Sequence, residues 1–333
     1  MKLNVIMKIV AIIMVFSLML IVIDSRSILN ALAQGLIYSI LAIGMYLTFR
    51  FLNYADLTAE GSFTLGAGFA ARLIVGGMDP LLGTLFAMAA GMVAGCVTGF
   101  LHTVLKIPPL LSGIIAMTGL YSINLRVMGR SNISLMRYDT LLTRFESLRP
   151  VNFLVEQTGA AVHVIATIAL AAIVVPIVII LLRLFYNTEL GYVVRATGDN
   201  EAMAQAQGVN TRRMKVLSLI LSNGCIALSG ALFAQFQGVA DVNMGVGVIV
   251  IGLASIIMGE VVFKDKNSHR VFIAVMLGTI SFFFIRAFVL NVDMFDPSDF
   301  RLFTALVLAL ALSVPVIRDK LNFGFLKLKR KGK

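Results

Sequence analysis

Tryptophan is absent, histidine occurs three times and cysteine twice, and only 14% of the 333 residues are charged. A water-soluble domain typically carries about 25% charged residues, so a soluble enzyme is excluded first. His102, His163 and His269 stand far apart, without the spacing of a metal site, and are expected at the ends of spans. No G-x-x-x-x-G-K-[ST], H-E-x-x-H or G-x-S-x-G pattern occurs, so the chain holds no nucleotide phosphates in a P-loop and has no recognisable hydrolase centre. Cys96 and Cys225 sit inside apolar runs and read as small core residues, which leaves the redox compartment open. Acidic residues are also few, 17 against 28 Lys plus Arg, for a formal charge of +11. In so apolar a chain that excess marks cytoplasmic loops rather than a nucleic-acid partner.

What remains is hydrophobic: 59% of residues, with a mean hydropathy of +0.94. A helix needs about 20 apolar residues to cross the hydrocarbon core. Charge-free runs cover 9–23, 27–49, 61–71, 80–105, 107–125, 157–182, 216–240, 242–259, 271–285 and 302–317. They predict an all-α, polytopic membrane protein of about ten spans, one transmembrane domain over 1–333. Its subdivisions are an extra N-terminal helix (1–26), an outer loop (127–156), a cytoplasmic loop (183–215) and a basic cytoplasmic tail (319–333). The small triplet at 31–33 lies too far from the first run for an ordinary signal cleavage site, so the first helix is expected to be retained. The bias of Lys and Arg puts both termini in the cytoplasm, with the Arg-rich stretch from Arg126 to Arg149 as the exception.

Ala55-Asp56 opens the Gly-rich third span and Ala240-Asp241 the Gly-rich eighth, five spans apart. Such an offset fits a five-plus-five inverted repeat, a design common among transporters. The small residues Gly61, Ser62, Gly66, Ala67 and Gly68 suit either close helix packing or a substrate path. Polar residues taken as candidates for such a path are Ser62, Thr64, Gly66, Ser112, the asparagine of Ser122-Ile123-Asn124, Ser222 and Asn223. Charges inside a membrane are functional candidates by default. Arg286 is expected to snorkel or to pair with Asp293 or Asp296, with a substrate carboxylate as the other reading; Glu60 and Glu260 read as interface anchors. No acid or histidine relay stands out, which weakens an ion-coupled carrier.

The cytoplasmic loop is the most informative stretch. Asp199 or Asn200 suits an N-cap, Glu201 a first turn, Ala202, Met203, Ala204, Gln205, Ala206 and Gln207 a helix, and Gly208 its C′ position. Asn210 or Thr211 then caps the next span. A linker between spans needs only a few residues, and a capped two-turn helix is more than a linker.

The stretch GDNEAMAQAQGVNTRRMKVLSLILSNGCIALSGALFAQFQG resembles the coupling region of bacterial ABC importer permeases of the branched-chain amino acid and ribose superfamily. The matching residues are Gly208-Val209-Asn210 and Ser229-Gly230-Ala231. DLTAEGSFTLGA, Asp56 to Ala67, resembles the same superfamily's third-span motif, most like the subgroup paired with aromatic amino acid binding lipoproteins. The resemblance covers roughly residues 28–320. It implies a homodimer in the bacterial cell membrane, two ATP-binding cassette subunits and an extracytoplasmic binding lipoprotein. It also implies that Asp199–Gly208 with Asn210 form the coupling element, with small side chains such as Ala204 in an ATPase groove. ATP and magnesium would then belong to the ATPase, with no cofactor here. Glu201-Ala202-Met203 departs from the strict Glu-Ala-Ala form of other importer classes, so Met203 is given no specific contact. A nucleoside or sugar cargo, or less favourably an ion-coupled carrier, is the alternative.

Overall fold

The computed structural model describes residues 24–158, 160–262 and 270–291, together with Leu302 and Ala305. The first apolar run, nearly all of the last, the basic tail, His269, Asp293 and Asp296 lie outside the described residues.

α1 (Ser25–Tyr46) runs on into one π-helical turn, Leu47–Phe51, closed by the Leu52 amide on the Leu47 carbonyl at 3.2 Å. α2 (Thr58–Val75) starts where Asp56 accepts the Thr58 amide at 2.9 Å. α3 (Pro80–Thr103) and α4 (Pro109–Met128) both begin on proline, whose missing N–H costs nothing in a first turn. The loop expected at 127–156 is not irregular. It carries β1 (Asn132–Ser134), α5 (Leu141–Glu146) with a Thr140–Thr143 capping box, and α6 (Arg149–Thr158). Then come α7 (Val162–Tyr186), α8 (Glu189–Asp199), α9 (Glu201–Ala206) and α10 (Thr211–Gln237). β2 (Val239–Asp241), α11 (Val248–Val262) and α12 (Val271–Asn291) complete the described chain.

Six of these helices are long and apolar enough to span a bilayer: α1 with its π turn, α3, α4, α7, α10 and α12. α2 and α11, over the third and eighth runs, are shorter. The fold is predominantly helical, with a local correction: β1 and β2 pair antiparallel, Ile133 opposite Ala240. Cys96 is also a correction, because it is exposed on α3 while Cys225 is buried.

The packing of the long helices follows an exchange. α2 and α3 pack on α10, and α11 and α12 pack on α1, while α1 and α10 pack on each other. Swapping α1 with α10, α2 with α11 and α3 with α12 therefore returns the same set of neighbours. The aspartates that open the two short arms also match: Asp56 accepts the Thr58 amide and Asp241 the Asn243 amide, each two residues on. At the centre, Tyr38, Phe63, Phe233 and Phe283 bring four helices together, with ring centroids 4.9–5.6 Å from Tyr38. Gly66 lies directly on the α10 backbone, where a Cβ would overlap the Ala227 carbonyl. Small residues at such a crossing let two backbones meet.

Candidate functional site

The loop between α7 and α10 holds two helices, not the one expected. Thr188 caps α8, and Asp199 is its last residue rather than a cap. Asn200 caps α9, accepting the Met203 amide at 3.0 Å, and Asn210 caps α10, accepting the Arg213 amide at 3.2 Å. Gln207 closes α9, and Gly208 follows at φ +84°, a left-handed conformation that glycine adopts without strain.

Side-chain directions sort the residues of this loop into two faces. Ala204 is 4% exposed, turned into its own chain, which corrects the expectation that it meets a separate groove. Ala202, Met203, Gln205, Ala206 and Gln207 are exposed, Met203 at 59%. Glu201 binds back to α10: its Oε1 accepts from Lys215 Nζ at 2.8 Å and from Thr211 Oγ1 at 3.2 Å. Gln205 Nε2 donates to the same Thr211 hydroxyl at 3.0 Å. The Lys215 ammonium, first among several donors, holds the Glu201 carboxyl below its ordinary range. On the far side of Lys215, His102 Nε2 lies at 3.5 Å and His102 Nδ1 lies 2.8 Å from the Ile107 carbonyl. A carbonyl only accepts, so His102 donates from Nδ1 to Ile107.

α8 grips the other central helix. Gly198 abuts the Phe51 carbonyl at the π turn, and the Arg195 guanidinium lies 4.9 Å over Phe51 and 5.3 Å over Tyr186. Arg195 Nη2 also donates to the Tyr186 carbonyl at 3.0 Å. So α8 is fastened to the end of α1 and also packs on α10, and α9 is tied to the start of α10. These are the two helices at the centre of the packing exchange.

The candidate path residues divide as well. Ser62 Oγ donates to Asn223 Oδ1 at 2.6 Å, and Asn223 Nδ2 donates to Asp56 Oδ2 at 2.7 Å. Ser112 Oγ lies 2.6 Å from the Tyr54 hydroxyl. These three are committed to holding elements together, and Gly66 is a crossing point. Ser222 is fully buried, its hydroxyl without a partner among the described residues. Thr64 and Asn124 line a cavity of about 280 Å³ between α2, α4 and the segment before α11, while neighbouring Ile123 is exposed.

Glu60, in the first turn of α2, also lines this cavity. α2 runs alongside α4, Leu57 by Gly113, Gly61 by Leu120 and Gly68 by Met128. Glu60 therefore stands level with Leu120, roughly 16 Å along α4 from Pro109. That is about half of a ~30 Å hydrocarbon core. Glu260, by contrast, pairs with Arg50 near the end of α1. Arg286 lines a separate cavity of about 400 Å³ with Asn30, Gln34, His163 and Gln237, its guanidinium 5.6 Å from the Phe283 ring centroid.

Three ion pairs among the described residues each join partners that the charge bias puts on the same side of the membrane. Arg50–Glu260 and Lys215–Glu201 are cytoplasmic by that assignment, and Asp79–Arg144, at 2.7 Å, is external. Among the described residues no cluster of His, Cys, Asp or Glu is arranged to hold a metal.

A family profile described as branched-chain amino acid transport system, permease component, matches residues 27–312. The tyrosine transport system permease protein of Clostridioides difficile is 41% identical over 84% of this chain and 88% of its own. The ribose import permease protein of Bacillus subtilis is 25% identical over 71% of this chain and 69% of its own. A probable branched-chain amino acid transport permease of Methanocaldococcus jannaschii is 25% identical, covering 68% and 73%. No solved structure matches.

Proposed function

Because the chain belongs to the family of branched-chain amino acid transport permease components, we propose that it is the membrane subunit of an ATP-driven importer. It works as a homodimer with two ATPase subunits and an extracytoplasmic binding lipoprotein, in a bacterial cell membrane with both termini inside. The cargo is an amino acid, aromatic by the 41% identity to a tyrosine permease. A sugar is the second reading, favoured by the weaker likeness to a ribose permease.

The fastening of α8 to both central helices, and of α9 to the start of α10, is the observation that carries this reading. An ATPase that seats on the exposed side of α9 and moves it would pull on Lys215 and Thr211, and so on the first turn of α10. The same displacement would reach α1 through Gly198 and Arg195. Two central helices driven from one loop are a bistable element that ATP binding can bias, and alternating access requires such an element. The exchange of neighbours about α1 and α10 supports a five-plus-five repeat, with the two short arms related by a two-fold axis in the membrane plane. No chemical step falls to this chain.

The test is uptake by proteoliposomes holding the permease, its ATPase and its binding protein. Met203→Glu and Ala206→Trp alter the exposed face of α9 and leave Ala204 and Glu201 in place. Each is expected to lower ATPase co-purification and uptake roughly tenfold, the effect of about 1.4 kcal/mol at an interface. Normal co-purification and uptake in both variants would make the loop a structural linker. Uptake by the permease alone, down an ion gradient, would make it a secondary carrier.

A further inference from the structure

Resting on the amino acid reading above, we propose that the cavity beside Glu60 is a mid-membrane subsite that recognises the cargo's ammonium group. Its polar lining is acceptor-rich at one end. Glu60 Oε1 accepts the Gly247 amide at 2.9 Å, and among the described residues no Lys or Arg pairs with this carboxylate. Asn124 is 2% exposed; its Nδ2 donates to the Gly61 carbonyl at 3.2 Å, while its Oδ1 is buried with no partner among the described residues. The Thr64 hydroxyl donates to the Glu60 carbonyl and receives the Gly245 amide at 3.1 Å. The exposed Thr118 hydroxyl donates to the Ile114 carbonyl of its own helix. Glu60 and Asn124 thus line one space, and the carboxylate of the first calls for a hydrogen-bond donor.

The rest of the lining is Met117, Tyr121, Val242 and Val246, an apolar wall suited to a side chain. A carboxylate in the middle of a bilayer is expensive and marks a functional position. The start of α11 supports one of its oxygens, through Gly247. The other is left for an ammonium ion, whose charge and N–H donors match a carboxylate. An anionic solute finds no cation in this lining.

The proposal is tested with the full-length chain carrying Tyr121→Cys, with Cys96 and Cys225 replaced by alanine. The probes are two permanently charged thiosulfonate reagents, one with a trimethylammonium group and one with a sulfonate. The ammonium reagent is expected to modify the introduced thiol faster, by roughly fivefold or more, because of the nearby carboxylate. Glu60→Gln, which keeps an oxygen for the Gly247 amide, should abolish that preference. In the complete complex it should also lower uptake of radiolabelled tyrosine at least severalfold. Absence of an ammonium preference in the Glu60 protein overturns the proposal. So does a preference lost in Glu60→Gln while tyrosine uptake stays unchanged. If the unmodified complex carries no amino acid, the functional reading fails, and the labelling rates still report whether the cavity favours ammonium ions.

Discussion

Gly66 touches the Ala227 backbone, and nothing larger than hydrogen fits between them. Gly66→Leu should therefore separate α2 from α10, at the roughly 1–3 kcal/mol typical of overpacking. The adjacent Leu65→Ile keeps its volume and should cost less than about 1.5 kcal/mol. Thermal unfolding in detergent would rank the two, and equal melting would place Gly66 outside the contact. Gly208 differs, because nothing crowds it and only its φ of +84° restricts it. Gly208→Asn should be tolerated and Gly208→Val should not, since β-branched residues rarely enter the left-handed region. Substrate-stimulated ATPase activity of the complex reads that difference. The caps were legible in the sequence at this scale because Asn200, Gly208 and Asn210 act on amides or φ angles within three residues. Glu60 was not, because its partner amide at Gly247 lies 187 residues on and only the fold brings them together.

At the scale of elements, α9 is held to α10 through the Gln205 amide and through the Glu201 carboxylate. Its pKa is lowered by Lys215, so the stabilisation it gives is complete above the ordinary carboxylate range. It fades as the pH falls through the lowered folded value. Glu201→Gln should therefore melt below the parent at ~pH 7, and the gap should close on acidification toward ~pH 3. A gap that persists there would mean that Glu201 acts by shape rather than charge. α8 escaped the sequence reading because its polar surface resembled a linker. Thr188 as a cap, and Val194 buried one turn before Gly198, were its local signals. Ala204 was misassigned for a related reason: an alanine in a polar helix does not reveal which face it serves until a second helix lies beside it.

For the whole molecule, apolar runs located the long helices well, because hydrocarbon thickness sets their length. They located α2 and α11 poorly as spans, because those two helices are buried against protein and carry polar residues. The outer ribbon was invisible, since β1 and β2 are three residues each and lie more than a hundred residues apart. Sidedness remains directly measurable. A cysteine at exposed Ser131 should react with an impermeant thiol reagent added outside intact cells, and one at Ala206 only after lysis. The reverse pattern would invert the molecule in the membrane and put the coupling loop on the side without ATP.

The Ser62–Asn223 bond, between α2 and α10, also sets a timetable for biosynthesis. Its two partners are 161 residues apart in the chain. At the usual ~5–20 residues per second, α2 leaves the ribosome about 8–32 seconds before α10 can receive it. Through that interval α2 carries Glu60 and Arg72. Its buried face also carries Ser62, whose hydroxyl has its partner on α10, and a polar group left without a partner in hydrocarbon is costly. Lipid is thus a poor waiting place, and the short turn at Gly76–Asp79 delivers α3 at once as its companion. The nascent chain must keep this hairpin sheltered beside the insertion machinery until its second half is made. A ribosome stalled before residue 223 would accordingly leave α2 extractable from the membrane by alkali, although every residue of the helix has been synthesised.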